Sequence, residues 1–409
     1  MKVATPSILP VASSLLPPKG HPRLDYLDGI RGGAALWVVM THVWYFFMGH
    51  QINLRPKGLF TNLLLHAHLA VDVFIVLSGF CLMLPVAHRE SLRGGAMSFF
   101  KRRARRILPT FYAALVVCFG FQFLASYVNH QPLNVSRRLL LCNVFLLQDV
   151  SHAAAEQINI AWWSVALEWK IYFLFPFFVW LFLKRGAKVG LLVSAVLGFT
   201  LTIAFRQAEP GVSVDEVAHA CFYYTLLFAL GMAGAHTVFS ESNTTKSIHL
   251  RSWRTIVLPS AILLGILLVE YPISSYSSDL LSLHYFLVDP VAGAMIASCL
   301  VLLGDAHQRC QKSFALSVFN CKALVITGRF GYSLYLTHYT LAWLISGISR
   351  HSFPQMLGHP VIMWIVTVSV CWIFGYLFYL CFERPFTKAS KAKMSLSQVE
   401  GCTILSSAP

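Results

Sequence analysis

Apolar runs of about 18 residues or more recur along most of the chain, and they limit its fold more than any motif does. Wound as a helix at about 1.5 Å per residue, such a run crosses a hydrocarbon core of about 30 Å. Inside that core every backbone N–H and C=O needs a partner, which leaves helices or a closed barrel. A barrel strand needs only about 10 residues of alternating pattern, so long unbroken runs select helices. The sequence is 56% hydrophobic and only 12% charged, whereas a soluble domain carries about 25% charge. The expected fold class is therefore all-α: a polytopic, multi-pass helical membrane protein.

Ten spans are predicted, at 29–49, 67–87, 107–127, 162–183, 188–205, 219–239, 255–271, 284–304, 330–349 and 360–381. They divide the chain into a disordered cytosolic lead-in (1–24), a transmembrane domain (25–386) and a cytosolic tail (387–409). The longest stretch between spans, about 128–161, holds "LNVSRRLLLCNVFLLQ", an amphipathic pattern expected to lie on the membrane surface. With a cytosolic N-terminus, 25 of the 32 Lys and Arg residues fall on the cytosolic side and 6 opposite, with Lys170 inside a span. Positive charge concentrates on cytosolic loops, so both termini are expected in the cytosol.

The net charge of +15 does not point to nucleic acid, because the basic residues lie in short clusters between apolar runs, the pattern of topology rather than of a DNA footprint. The ten cysteines are scattered and none forms a C-x-x-C pair, so neither a metal site nor a disulfide framework is expected.

Against this background the ionisable residues inside spans stand out, since an intramembrane charge is costly and marks function by default. In "LDGIRGGAALWVVMTHVW", Arg31 and His42 are 11 residues apart, about 20° after three turns and about 16 Å along the axis, so they share a face. Arg31 also reads as a snorkelling anchor, and His42 as a packing histidine. In the second span Asp72 needs a partner, and His68, one turn earlier, is a candidate. Ser78 and Gly79 read as small residues that let a neighbouring helix approach. In the fourth span Glu168 lies about 10 Å below the outer boundary, the depth of His42, so the two are expected to meet as base and orienting acid. A Glu168–Lys170 or Glu168–Arg ion pair is the structural alternative. His338, near the middle of the ninth span, either contacts substrate or relays a proton, or is a satisfied core residue. Arg103 and Arg106 share a face where the third span begins, with Pro109 in its first turn; an Arg fork suits phosphate, and a positive-inside stop signal explains the cluster equally well.

"LDYLDGIRGGAALWVVMTH", "AVDVFIVLSGF", "KRRARRILP", "WWSVALEWKIYFLFP", "YSLYLTH" and "CFERP" occur in the order and spacing of the acyltransferase 3 family, and residues 25–386 resemble it throughout. The resemblance implies ten core spans and transfer of an acyl group, commonly acetyl, from acyl-CoA to a hydroxyl. It maps the family's first-span arginine and histidine onto Arg31 and His42, its R-x-x-R pair onto Arg103 and Arg106, its acid onto Glu168 and its V-D-V-F aspartate onto Asp72. The expected catalytic set is thus His42, Glu168, Asp72 and His338, and the expected acyl-CoA site is Arg31, Arg103 and Arg106. No permanently bound cofactor is expected; acetyl-CoA is the expected donor substrate, and the partners are membrane lipids and a hydroxyl-bearing glycan, lipid-linked sugar or secondary metabolite. Some family members append an extracytoplasmic hydrolase-like domain, which is not expected here. The alternative from another class is a proton-coupled transporter or flippase that uses the same buried His, Asp and Glu as a relay.

Overall fold

The computed structural model describes residues 24–48, 66–128, 135–150, 152–208, 222–240, 246–270 and 278–387, with Leu64 and His130 besides. The lead-in expected at 1–24 and the tail expected at 387–409 lie outside them, except for Leu24 and Thr387. The described residues are helical. In chain order they form α1 (Asp25–Met48), α2 (His68–Arg89), α3 (Gly95–Val128), α4 (Arg137–Val144), α5 (His152–Glu156), α6 (Trp163–Arg185), α7 (Ala187–Ala208), α8 (Tyr224–Phe239), α9 (Lys246–Glu270), α10 (Ser278–Gln308), α11 (Phe314–Phe319), α12 (Lys322–Arg329), α13 (Gly331–Ser352) and α14 (Pro360–Phe378). Each predicted span overlaps one of them. Among the described residues seven helices are long and apolar enough to cross a membrane, α1 and α13 not among them, and the chain is a multi-pass membrane protein. By the same measure α8 is shorter, at 16 residues.

Two contacts show how the bundle closes. Gly79 of α2 and Gly231 of α8 face each other's backbones, so that a Cβ on Gly79 would meet the Phe228 carbonyl at 2.0 Å and one on Gly231 the Val76 carbonyl at 1.9 Å. In lipid, where apolar burial gives helices no preference for each other, such close approach supplies the van der Waals attraction that does. The same device joins α1 to α12, where a Cβ on Gly32 would lie 2.1 Å from the Leu324 carbonyl and one on Gly328 1.7 Å from that of Asp28. Around α2 and α8 a core of Phe80, Phe175, Phe228 and Met232 fills in, while α9 turns Leu258, Ile262 and Ile266 outward.

Two expectations need correcting here. The third span was expected to open at 107 with Pro109 in its first turn, but α3 starts at Gly95 and is 34 residues long, so Pro109 lies inside it. The basic run 101–106 is therefore helical rather than a loop, since Lys, Arg and Ala are good helix formers and need no membrane to stay wound. The stretch 137–162 is likewise not simply a surface helix. After α4 the chain turns inward through two 3₁₀ turns, Gln148–Val150 and Ile160–Trp162, and packs against α13. The Asn159 side-chain amide and the Trp162 indole both donate to the Leu336 carbonyl, at 3.1 and 2.9 Å. Tyr335 donates to the Ala161 carbonyl at 2.6 Å, and Thr340 to that of Ile158 at 3.2 Å. Irregular backbone at membrane depth survives when protein groups satisfy it in this way.

Candidate active site

Two cavities lie along α1 and α13: α2, α3 and α6 complete the one beside their N-terminal halves, and Ala125 of α3 and Ile160 border the one toward their C-terminal ends. The first is lined by Arg31, Arg103, Arg106, Glu168, Tyr172 and Tyr335, among others, with a volume of about 120 Å³. Arg103 and Arg106 share a face of α3, as their spacing predicts, and both reach this cavity. The Arg103 guanidinium stands 5.9 Å over the Phe99 ring, and its buried Nε has no hydrogen-bond partner among the described residues. Arg31 donates to Asp28 Oδ1 at 2.9 Å and approaches Cys81 Sγ at 3.8 Å. Asp28, one turn before Arg31, thereby acquires a role as its counter-ion.

Glu168 belongs to this cavity and not to the histidines. It accepts a hydrogen bond from Tyr172, one turn on, and Tyr172 also meets Ser78 at 3.0 Å. Among the described residues no hydrogen bond joins Glu168 to His42, so the expected pair is not formed. Trp162, bonded to the Leu336 carbonyl, fixes the level at which α6 starts, and Glu168 is six residues, about 9 Å, beyond it, running away from His338. The level of α6 is set by the segment before it, which Trp162 ties to α13, and not by a count from its first apolar residue. The Glu168–Lys170 alternative fails on phase, because two residues apart means about 200° around a helix. Lys170 instead pairs with Asp149 of the tucked-in segment. Ser78 was expected to be a packing residue like Gly79; Gly79 is one, whereas Ser78 turns its hydroxyl into the cavity.

The second cavity, about 470 Å³, is lined by His42, Tyr45, Tyr339, Trp343 and Arg350, among others. His42 Nδ1 lies 2.9 Å from His338 Nε2, with the rings 5.1 Å apart and nearly parallel. His338 is fully buried. Its other nitrogen, Nδ1, lies 2.8 Å from the Tyr335 carbonyl and 3.2 Å from that of Leu334. Carbonyls only accept, so this arrangement assigns the proton of neutral His338 to Nδ1 and leaves Nε2 as the acceptor. His42 must then carry its proton on Nδ1. What remains is the lone pair on His42 Nε2, on a ring that lines the cavity.

Tyr335 lies between the first cavity and His338. It lines the first, its ring lies 5.7 Å from that of His338, and its hydroxyl meets Ser164 at 2.7 Å. Asp72 lies outside both. Val71, Ile75 and Ser78 form the face of α2 that lines the arginine cavity, whereas Asp72 is buried beside Tyr224 of α8 and Asp289 of α10. One residue's step around a helix, about 100°, accounts for the difference. His68, its expected partner, places Nε2 3.5 Å from Asp289 Oδ1. Among the described residues no group of three or more His, Cys, Asp and Glu side chains is arranged to hold a metal.

Sequence reasoning also passed over Tyr172, Tyr335 and Glu383. Glu383 is almost completely buried and accepts from Ser333 at 2.6 Å, within a single π-helical turn, Tyr379–Glu383, that ends α14. Its signal was present in "CFERP", and π turns of this kind are frequent at functional sites.

A Staphylococcus aureus (strain COL) protein, provisionally named an O-acetyltransferase, is 24% identical over 394 residues, covering 88% of this chain and 57% of that protein. A Bacillus subtilis (strain 168) protein, provisionally named a peptidoglycan O-acetyltransferase, is 22% identical, covering 89% of this chain and 55% of its own length. The Caenorhabditis elegans protein named nose resistant to fluoxetine protein 6 is 28% identical over 222 residues, which is 45% of this chain and 26% of that one. The chain thus spans about half the length of the bacterial relatives it matches. No solved structure matches it. The family model described as an acyltransferase domain matches residues 24–376, nearly the whole membrane bundle, and the chain belongs to that acyltransferase 3 family.

Proposed function

We propose that the protein is a membrane O-acyltransferase that moves an acyl group, acetyl in the first instance, from acyl-CoA to a hydroxyl, with His42 as the general base. The observation that carries this reading is the contact of His42 Nδ1 with His338 Nε2, whose other nitrogen faces only carbonyls. With Nδ1–H committed to His338, Nε2 is free to take a proton.

In the proposed step the acceptor hydroxyl gives its proton to His42 Nε2 as its oxygen attacks the thioester carbonyl carbon. The C–S bond then breaks, and the departing thiolate takes the proton back, leaving an ester and free CoA. His338 does for His42 what an acid does in a serine-hydrolase triad: it fixes the tautomer and accepts from the imidazolium that forms transiently. The donor approaches from the arginine cavity. Arg103, Arg106 and Arg31 meet its phosphates, for which guanidinium forks are suited, and Glu168 with Tyr172 forms the wall. The cavity is narrow, so the nucleotide would remain at the basic mouth and the slender pantetheine arm would be the part that enters. The thioester then arrives beside Tyr335, one turn from His338. On the expected topology the arginine end is cytosolic, so donor and acceptor come from opposite faces. This reading covers both a direct transfer and a relay through an acyl-enzyme.

The transporter reading needs a relay of buried groups. His42 with His338, Glu168 with Tyr172, and Asp72 beside Asp289 form three separate sets among the described residues, which favours group transfer. The test is radiolabelled acetyl-CoA given to the purified protein in detergent with candidate acceptors. CoA release and labelled ester are expected from the wild type, and neither from His42→Ala. Undiminished turnover by that variant would sink the assignment.

A further inference from the structure

The histidine cavity has a chemical character of its own. Aromatic rings form much of its wall: Tyr45, Phe46, Tyr339 and Trp343. Its hydrogen-bonding side chains besides His42 are the tyrosines, the Trp343 indole, Ser346 and Arg350. Among the described residues lining it there is no Asp, Glu, Asn or Gln. A bare glycan presents hydroxyls all round, and each is held best by a planar polar side chain that both donates and accepts. This wall offers apolar area instead, the lining typical of sites for compact, largely apolar ligands.

Arg350 breaks that apolar character at one point. It sits in the last turn of α13, and its Nη2 donates to the Phe46 carbonyl at 2.8 Å, which holds the guanidinium at the cavity. A guanidinium has five N–H donors in a planar fork. Among the described residues no acidic side chain pairs with Arg350, so donors remain for a ligand. Phe46 lies four residues beyond His42 on α1, about 6 Å along the axis. A hydroxyl at His42 and an anion at Arg350 are therefore within the reach of one small molecule.

We infer that the acceptor is a compact, ring-containing, largely apolar molecule that carries a hydroxyl and, roughly one helical turn away, an anionic group held by Arg350. This rests on the proposed role of His42 for the end at which the hydroxyl sits. The anion supplies orientation and the aromatic wall supplies affinity. Binding sites dominated by apolar contacts discriminate weakly between similar shapes, and a fixed charge corrects that.

The probe is 6-hydroxy-2-naphthoate, compared with its methyl ester and with N-acetylglucosamine, titrated calorimetrically into the full-length protein in neutral detergent and then offered as acceptors with labelled acetyl-CoA. The acid should bind about 10- to 100-fold more tightly than the ester, the equivalent of one charge-assisted hydrogen bond, and the sugar should neither compete nor be acetylated. Arg350→Gln, which keeps a donor for the Phe46 carbonyl but removes the charge, should abolish the difference between acid and ester. Equal binding of acid and ester, preferred acetylation of the sugar, or no binding of the naphthoate would each overturn the inference. Failure of the underlying reading looks different. Tight, Arg350-dependent naphthoate binding with transfer that survives His42→Ala would leave the acceptor class standing and remove the base, whereas a sugar acceptor with His42 essential would do the reverse.

Discussion

The two cavities share α1, α3 and α13, but α2 and α6 wall only the first, and they differ in almost every property that matters to a ligand. The one at the N-terminal halves of α1, α3 and α13 gathers three arginines around a single glutamate; the one at their C-terminal ends gathers aromatic rings around a histidine pair. The first is small and basic, and the second is about four times larger and mostly apolar. One arrangement suits a polyanion and the other, on the proposed reading, positions a proton acceptor beside an apolar wall. The difference teaches that charge in this bundle is sorted along the helix axis, so donor binding and base chemistry can be perturbed one at a time.

His42→Ala is the largest expected break in that comparison. Turnover should fall by about 10²- to 10⁴-fold, the usual worth of a general base, with acyl-CoA affinity nearly unchanged, as read from single-turnover rates and equilibrium binding. A parallel loss of acyl-CoA binding would mean the cavities do not act separately. His338→Ala should cost about 10- to 100-fold in kcat, the range seen when an orienting partner of a functional histidine is removed. His338→Gln should recover part of it, because the glutamine carbonyl oxygen reaches the place of Nε2 and still accepts from His42. Equal loss in both variants would assign His338 to packing.

Arg103→Ala should act on the other cavity. The apparent KM for acyl-CoA should rise by about 10-fold or more, the loss of one charge-assisted contact, with kcat far less affected and with a weaker dependence on ionic strength. A fall in kcat at constant KM would contradict donor binding. Gly79→Ala tests the frame that both cavities share. A Cβ 2.0 Å from a backbone carbonyl forces α2 and α8 apart, and overpacking of this kind costs about 1–3 kcal/mol. Thermal stability in detergent should drop while the residual enzyme keeps its KM. Tyr335→Phe, on the boundary, is the mildest: it removes the bonds to Ala161 and Ser164, each worth about 0.5–1.5 kcal/mol net. It should slow transfer a few-fold, and no change would assign the Tyr335 hydroxyl to packing alone.

Legibility from sequence followed the range of the interaction involved. Arg31 with His42, and Arg103 with Arg106, were placed on common faces because helical phase is local and about 100° per residue suffices to predict it. Gly79 was readable as a close-approach residue for the same reason. The partner of His42 was not readable. Glu168 fitted by depth, but depth has to be counted from a boundary, and residues 148–162 carry the chain inward before α6 starts. His338 became the partner because those residues fix the heights of α6 and α13 relative to each other through side-chain bonds to the Leu336 carbonyl. The role of Asp28 escaped notice although Arg31 lies only three residues away.

The sequence alone determined that this chain is a bundle of membrane helices, which of its long apolar segments are helical, and which ionisable residues must be kept from lipid, because the cost of bare polar groups in hydrocarbon acts on each segment independently. Its motifs also carried the family. Only the tertiary structure decided which of those residues meet. Buried ionisable groups choose partners across helices, and the choice depends on relative height and rotation, set by glycine contacts such as Gly79–Gly231 and by the tucked-in segment before Trp163. That is why Glu168 sits among arginines, Asp72 lies apart beside Asp289, and His42 is left with a histidine.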